Sequence, residues 1–188
     1  SVRLVFFPAA GVAGWGRVFS RTAHEEICAM MLNAVMCVWN EEDIIESTVN
    51  HAFAQGCSNV FIIDNASTDK TVEIAIKAGA ILARSFESKY FDETQKIAHL
   101  NSVVKAYNEQ SPEEYIWWLY IDADEFPNID HNYRIIDFIN ALNSSVRLIH
   151  GYLIHHVPTH PPYNVHGYHP ADFMPVATKT NIEKIPLV

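Results

Sequence analysis

An α/β fold, with helices on both faces of a mostly parallel sheet, is what this sequence predicts, and three observations predict it. From Asn33 onward, short apolar runs alternate with segments whose apolar residues recur at helical spacing. One run, Tyr115-Ile-Trp-Trp-Leu-Tyr-Ile121, is nearly continuous, as expected for a central strand buried on both faces. The residues just beyond three of the runs, Asn40, Asp64 and Asp122, are acidic or amide. Ligands of open parallel sheets bind beyond the carboxyl ends of the strands, so these ends are where a site belongs.

Taken in order, the elements read as βαβαβαβαβ. The first strand is Ala34 to Trp39, and Asn40 is placed to cap a helix whose first turn, Glu41-Glu42-Asp43, meets the positive end of the helix dipole. Ile45, Val49, Ala52 and Phe53 form its apolar face, and Gly56 stops it. Asn59 to Ile63 is the second strand, and Asp64 to Asp69 is the loop into a helix ending near Gly79. Ile81-Leu82-Ala83 is a short third strand. A longer helix carries Ile97, Leu100, Val104 and Tyr107 on one stripe and closes at Ser111-Pro112. The Tyr115–Ile121 strand ends abruptly in Asp122-Ala-Asp-Glu-Phe-Pro127. A helix containing Ile135, Phe138, Ile139 and Leu142 follows, then a last strand, Val146 to Ile154. Beyond His155 there is no periodicity, only a loop rich in Pro, His and Tyr.

Composition narrows the function. The 188 residues are 49% hydrophobic, enough to bury a core without disulfides. Thirteen basic against 22 acidic residues give a net charge of −9, with no Lys/Arg run to follow a phosphate backbone, so nucleic acid is excluded as the expected partner. Cys28, Cys37 and Cys57 have no CxxC spacing, which points to a reducing, cytoplasmic setting. Leu4 to Gly14 is interrupted by Pro8 and glycines, and no run reaches the roughly 20 apolar residues of a membrane span. Residues 1–32 are read as an N-terminal extension of uncertain origin, and 33–188 as one domain.

Side chains two apart in an extended chain project to the same side, so Asp122 and Asp124 can reach one ion together. Hard carboxylate oxygens suit Mg²⁺ or Mn²⁺, which complete their coordination with water and substrate phosphate. The alternative is a solvated acidic turn. Asp64 stands where a carboxylate can meet ribose or a base, and its alternative is a turn residue bonding to its own loop. For Asp69 the first-turn helix charge is preferred. No GxGxxG and no GxxxxGK[ST] is present, so dinucleotide and P-loop modes of phosphate binding are not expected. Six of the 10 histidines fall between His150 and His169; His155, His156 and His160 are candidate metal or acceptor contacts, against a bland reading as a polar aromatic loop. Trp117 and Trp118 are expected in the core.

Three segments carry a resemblance: Val38-Trp-Asn-Glu-Glu42, Phe61-Ile-Ile-Asp-Asn-Ala-Ser-Thr-Asp-Lys-Thr71, and Leu119-Tyr-Ile-Asp-Ala-Asp-Glu-Phe126. In order and spacing they resemble the strand-one nucleotide loop, the VDDxSxDxT segment and the DxD strand of the family 2 glycosyltransferases of the GT-A fold. The Asp-Ala-Asp-Glu-Phe form is similar to a subgroup among bacterial surface-glycan enzymes. Residues 33–127 carry the resemblance. Asn65 replaces the second Asp of the family's pair, and the Asn-x-Gly element before the DxD strand is missing from Phe86 to Asn101.

The resemblance implies a GT-A-like Rossmann-type three-layer sandwich, with a nucleotide-binding part at 33–127 and a partial acceptor-side part at 128–188. It implies metal-dependent transfer of a sugar, with inversion, from a nucleotide-sugar donor to a hydroxyl of a glycan or lipid-linked acceptor. UDP donors are favoured, a divalent cation (Mn or Mg) is the cofactor, and the inner face of the membrane is a possible station. By position, Asn40 and Glu41 border the nucleoside, Asp64 meets base or ribose, and Asp122 and Asp124 meet ribose and metal; Arg84, at the end of the third strand, is a candidate nucleotide contact, against a reading as a surface Arg. Asp172 is the best-placed acceptor base. The rivals are a nucleotidyltransferase and a non-catalytic glycan- or nucleotide-binding fragment of this fold.

Overall fold

The computed structural model describes residues 30–149, apart from 89, 91, 113–114, 130–132 and 144, together with the backbone of strands at 2–5, 151–157 and 176–184. Seven strands and four helices follow in the order β1 (Val2–Val5), β2 (Met31–Val38), α1 (Ile45–Ala54), β3 (Asn59–Asn65), α2 (Thr71–Lys77), β4 (Ile81–Phe86), α3 (Glu93–Gln110), β5 (Ile116–Tyr120), α4 (Ile135–Ala141), β6 (Gly151–Val157) and β7 (Val176–Lys184).

Strands β4-β3-β2-β5 form one sheet, and every pairing in it is parallel. Strand alternation divides the core into two layers. Leu32, Ala34, Met36 and Val38 of β2, with Val60 and Ile62 of β3, face Ile45, Val49 and Ala52 of α1, Ala75 of α2, and Ile135 and Ile139 of α4. Val35, Phe61 and Ile63 point the other way, onto Leu100, Val103, Val104 and Tyr107 of α3. This is the α/β/α sandwich expected. Each fully buried aliphatic side chain stabilises it by about 1.5–3 kcal/mol. Trp117 packs against the first layer and Trp118 against the second.

Gly56 shows how tightly the layers meet. Its φ of +93° suits glycine, and a Cβ there would lie 2.1 Å from Ile136 Cγ2. The same turn receives α4, because Ile136 N–H donates to Gln55 O at 3.2 Å and Ile135 N–H to Gln55 Oε1 at 3.2 Å.

Four expectations need correction. The run expected as a central strand buried on both faces is β5, which stands last in the order β4-β3-β2-β5 among the described strands and buries only Leu119 fully. The helix after β2 begins at Ile45, not after an Asn40 cap: Asn40 has φ 56°, and its side chain is engaged by another loop. The third strand runs on to Phe86, so Arg84 lies within β4 and not at its end. The last expected strand is observed as β6, which begins at Gly151 and ends three residues beyond Ile154, and it belongs to a second sheet of order β1-β6-β7 whose pairings are antiparallel. The physical reason is in the residues: β5 is apolar throughout, whereas Tyr152 to Val157 includes His155 and His156 and is unsuited to burial on both faces of a parallel sheet. Val2–Val5 of the extension pairs with β6, and β7 lies in the stretch where no periodicity was found.

Candidate active site

At the carboxyl edge of the parallel sheet the loops after β2 and β3 are sewn together. Asn40 N–H donates to Ser67 Oγ at 3.0 Å, and Asn40 Oδ1 accepts from Thr68 N–H at 2.8 Å. Glu41 N–H donates to Thr71 Oγ1 at 2.7 Å. Glu42 and Asp69 exchange places: Glu42 N–H donates to Asp69 Oδ2 at 3.2 Å, while Glu42 Oε2 accepts from Lys70 N–H at 3.0 Å. Asp64 is buried, and its Oδ1 accepts from Ser67 N–H at 3.1 Å, an Asx-type bond within its own loop. Asp69 Oδ1 accepts from both Thr71 N–H and Thr71 Oγ1. Partial burial would raise the Asp69 pKa, but these bonds outweigh it and hold the carboxyl below its ordinary value. Ala66, at φ 51°, adopts a left-handed conformation that this network must maintain.

The loop after β5 is anchored from behind. Glu125 is buried and its Oε2 accepts from Asp122 N–H at 2.9 Å. Thr48 Oγ1 of α1 donates to the carbonyl of Ala123. His51 Nε2 lies 2.7 Å from the carbonyl of Pro127, with its ring edge-on to Phe126. One helix therefore grips both ends of the Asp122–Pro127 segment.

Between these loops and the start of α3 lies a cavity of about 350 Å³, within the range of small-ligand sites. Its walls include Trp39, Glu41, Asn65, Lys96, Asp122 and Asp124. Period-two alternation explains the membership. Asp122 follows Trp118 and Tyr120 on the α3 side, as Cys37 follows Val35. In β3 the same rule turns Asn65 toward the cavity and Asp64 away from it.

Charge in the cavity is unbalanced. Burial, followed by the nearby carboxylates of Asp124, Asp43, Asp69 and Asp122, pushes the Glu41 pKa up to about 7. Lys96 Nζ donates to Asp122 Oδ1 at 2.7 Å and lies 3.7 Å from Glu93 Oε2. Burial alone would lower the Lys96 pKa, but the bond to Asp122 and the charges around it raise it. Burial raises the Cys37 thiol to about 11, so this cavity-lining cysteine is protonated and not nucleophilic at neutral pH.

Of the residues expected at the site, Glu41, Asp122 and Asp124 line the cavity. Asn40 and Asp64 stand beside it as loop-fixing groups. Arg84 is not part of the lining; its Nη1 donates to Ser102 Oγ at 3.1 Å and lies 3.4 Å from His99 Nδ1, on the flank formed by α3. Asp172, His160 and the side chains of His155 and His156 lie outside the described residues. Sequence reasoning missed Trp39, Asn65 and Lys96 as lining residues. Lys96 carried a readable signal, a cation near the N-terminus of a helix, where the dipole disfavours it.

Among the described residues no three His, Cys, Asp or Glu side chains cluster closely enough to hold a metal ion by themselves. A hard cation here would rest on Asp122 and Asp124 and draw further oxygens from water and phosphate, which is the ordinary habit of Mg²⁺. The crowding that lifts Glu41 is the electrostatic condition such a cation relieves.

The family model for glycosyl transferase family 2 matches residues 34–178. The chain belongs to this family. Solved structures are similar at low identity. A mycobacterial protein is 18% identical with a TM-score of 0.34, over 50% of this chain and 31% of its own. Glucosyl-3-phosphoglycerate synthase from Mycobacterium tuberculosis, in complex with phosphoglyceric acid, is 19% identical with a TM-score of 0.34, over 50% of this chain and 33% of its own. The same figures hold for that enzyme in complex with Mn²⁺, UDP and glucosyl-3-phosphoglycerate. The chain thus covers about a third of the length of these proteins. Comparison with curated proteins finds no match. No helix among the described residues is long and apolar enough to cross a membrane.

Proposed function

We propose that this chain is the donor-binding part of an inverting glycosyltransferase that moves a sugar from a nucleotide-sugar, preferentially a UDP-sugar, to a hydroxyl of a glycan or lipid-linked acceptor. The observation that carries the reading is the meeting of Asp122, Asp124, Glu41 and Trp39 on one cavity at the carboxyl edge of a parallel sheet. Membership of the family supports the reaction class. The Asp-Ala-Asp-Glu-Phe motif supports a place in bacterial surface-glycan synthesis.

Each wall has a task in this reading. Trp39 is 58% exposed at the rim and offers a ring face on which a planar base can stack. Glu41 and Asn65 offer polar atoms to the nucleoside. Asp122 and Asp124 hold a divalent cation, Mn²⁺ or Mg²⁺, which when bound stabilises the negative charge of a departing diphosphate. Thr48, His51 and Glu125 keep the aspartates in place, since a mispositioned ligand forfeits much of its effect. The acceptor hydroxyl must surrender a proton to a carboxylate, and Asp172 is assigned that role.

Calorimetric titration of UDP and of GDP with and without Mn²⁺, repeated on Asp122→Ala/Asp124→Ala, tests the reading. Metal-dependent binding that disappears in the variant is expected. Binding that ignores the metal, or survives the substitutions, removes the two aspartates from the donor site. Turnover assays with nucleotide-sugars should release nucleoside diphosphate; a monophosphate product would count against sugar transfer of this kind, and tight binding without turnover would favour a non-catalytic role.

A further inference from the structure

One contact in the cavity has no task in the reading above. Lys96 rises near the start of α3 and places Nζ 2.7 Å from Asp122 Oδ1, with Glu93 Oε2 at 3.7 Å. Its side chain is only 17% exposed, so the ammonium is set into the wall and does not wander in solvent. Among the described lining residues it is the one Lys or Arg, and it shares the cavity with Glu41, Asp92, Glu93, Asp122 and Asp124. Asp92 is engaged in capping α3, with its Oδ1 accepting from Thr94 and Gln95 N–H, so its carboxylate has work elsewhere. Both Asp122 and Glu93 lie within ion-pair distance of Lys96.

A half-buried ammonium bound to a carboxylate persists because each ion compensates the other's lost hydration. A divalent cation at Asp122 brings a second positive charge to the oxygens that Lys96 already uses, and the two cations repel. A diphosphate in the same cavity offers new acceptor oxygens. The four-carbon lysine stem with three rotatable donors can follow them without moving α3.

We propose that Lys96 is an internal counter-cation, which holds Asp122 while the site is empty and turns to the donor diphosphate when donor and divalent cation arrive together. This rests on the donor-site reading given above. Its consequence is thermodynamic coupling. Metal alone sets a second positive charge beside the ammonium without phosphate oxygens to offset it, and nucleotide alone meets a wall of carboxylates. Bound together, each gives the other what it lacks, so UDP raises the affinity for Mn²⁺ and, by linkage, Mn²⁺ raises the affinity for UDP by the same factor.

The test uses the whole chain, its Lys96→Met variant, which keeps the apolar stem, and Lys96→Arg, which keeps the charge; Lys96→Gln is run beside them, with circular dichroism to verify folding. Mn²⁺ affinity is read from the electron paramagnetic resonance signal of free Mn²⁺, with and without saturating UDP, and UDP affinity by calorimetry. Lys96→Met is expected to bind Mn²⁺ alone more tightly than the unmutated chain and to lose about tenfold of the coupling factor, a change of typical allosteric size. Lys96→Arg should retain most of the coupling. A Lys96→Met protein with unchanged coupling overturns the proposal even if its Mn²⁺ affinity rises, because a fixed charge in the wall would do that much. Absence of Mn²⁺-dependent UDP binding in the unmutated chain overturns the donor-site reading itself, whereas binding there with unaltered coupling in the variants overturns only the role of Lys96.

Discussion

Two acidic segments close the carboxyl edge of the sheet, and they use their carboxylates in opposite ways. At the end of β3 and in the loop after it, Asp64 and Asp69 accept from backbone N–H groups of Ser67, Thr71 and Glu42, so each charge is satisfied by the backbone of the two loops that meet there. After β5, Asp122 and Asp124 face a cavity shared with Glu41, and the supporting bonds run to backbone atoms of the segment, from Thr48 and Glu125. The first arrangement lowers the pKa of a carboxyl, Asp69; the second accompanies a raised one, Glu41 at about 7. Acidic residues that hold a loop together and acidic residues that line a cavity are thus told apart by where their hydrogen bonds go, not by their motif.

Substitutions can break this contrast at either end. The largest effect is expected for Asp124→Asn and Asp122→Asn, each of which should cost Mn²⁺-dependent UDP affinity at least about tenfold to a hundredfold, the loss found even for groups that only support a metal ligand. Thermal stability should hold or rise in Asp124→Asn, because a like charge is removed, and should fall in Asp122→Asn, because the Lys96 ammonium loses the carboxylate that compensates it. Next comes Thr48→Val, which deprives the Ala123 carbonyl of its donor and should destabilise the chain by about 1–3 kcal/mol in urea unfolding. It should also weaken Mn²⁺ binding, because the segment between the two aspartates loses its anchor. Asp69→Ala should cost about 1 kcal/mol, the usual loss for a carboxylate bonded to the N–H groups at a helix start, and should leave UDP affinity unchanged. A large loss of nucleotide binding in Asp69→Ala would erase the distinction between the two segments.

The smallest effects lie in the pH dependence, and their signs are opposed. Asp69 has a folded pKa below its unfolded value, so its stabilising contribution is complete above the ordinary carboxylate range and is lost as pH falls through the depressed value. Glu41 has a folded pKa of about 7 against an ordinary 4.5, so the native state binds more protons between these limits. Stability of the metal-free chain should therefore decline as pH rises from 4.5 to about 7, and level off above. Glu41→Gln should flatten that decline in thermal melts, whereas Asp69→Ala should only narrow it, because the Asp69 carboxylate is one of the weaker charges that raise Glu41.

The parallel sheet, its order of elements and the position of the cavity edge were legible before any coordinates, because burial on two faces demands apolar runs and a helical face demands spacing of three and four. Asp122 keeps the two-residue alternation of β5, but Ala123 and Asp124 lie in a turn closed by Glu125 N–H on Asp122 O, so the turn and not an extended chain sets Asp124 on the cavity. That alternation also distinguishes Asp64 from Asn65, since neighbours in a strand point to opposite faces, but the resemblance to the family drew attention to the acid and away from the amide. Asn40 was misread because a polar residue before an acidic turn looks like a helix cap; its left-handed backbone and its bonds to Ser67 and Thr68 depend on a loop 27 and 28 residues away.

By itself, then, the sequence determined the two layers about the parallel sheet and the acidic character of the segments at its carboxyl edge, both of which depend on local periodicity and residue type. Only the tertiary structure decided which polar groups share a cavity. Arg84 was drawn onto the flank of α3 and Lys96 brought to Asp122 across 26 residues of sequence. Such meetings depend on how α3 crosses the sheet, and no local pattern records the distance between two side chains on different elements.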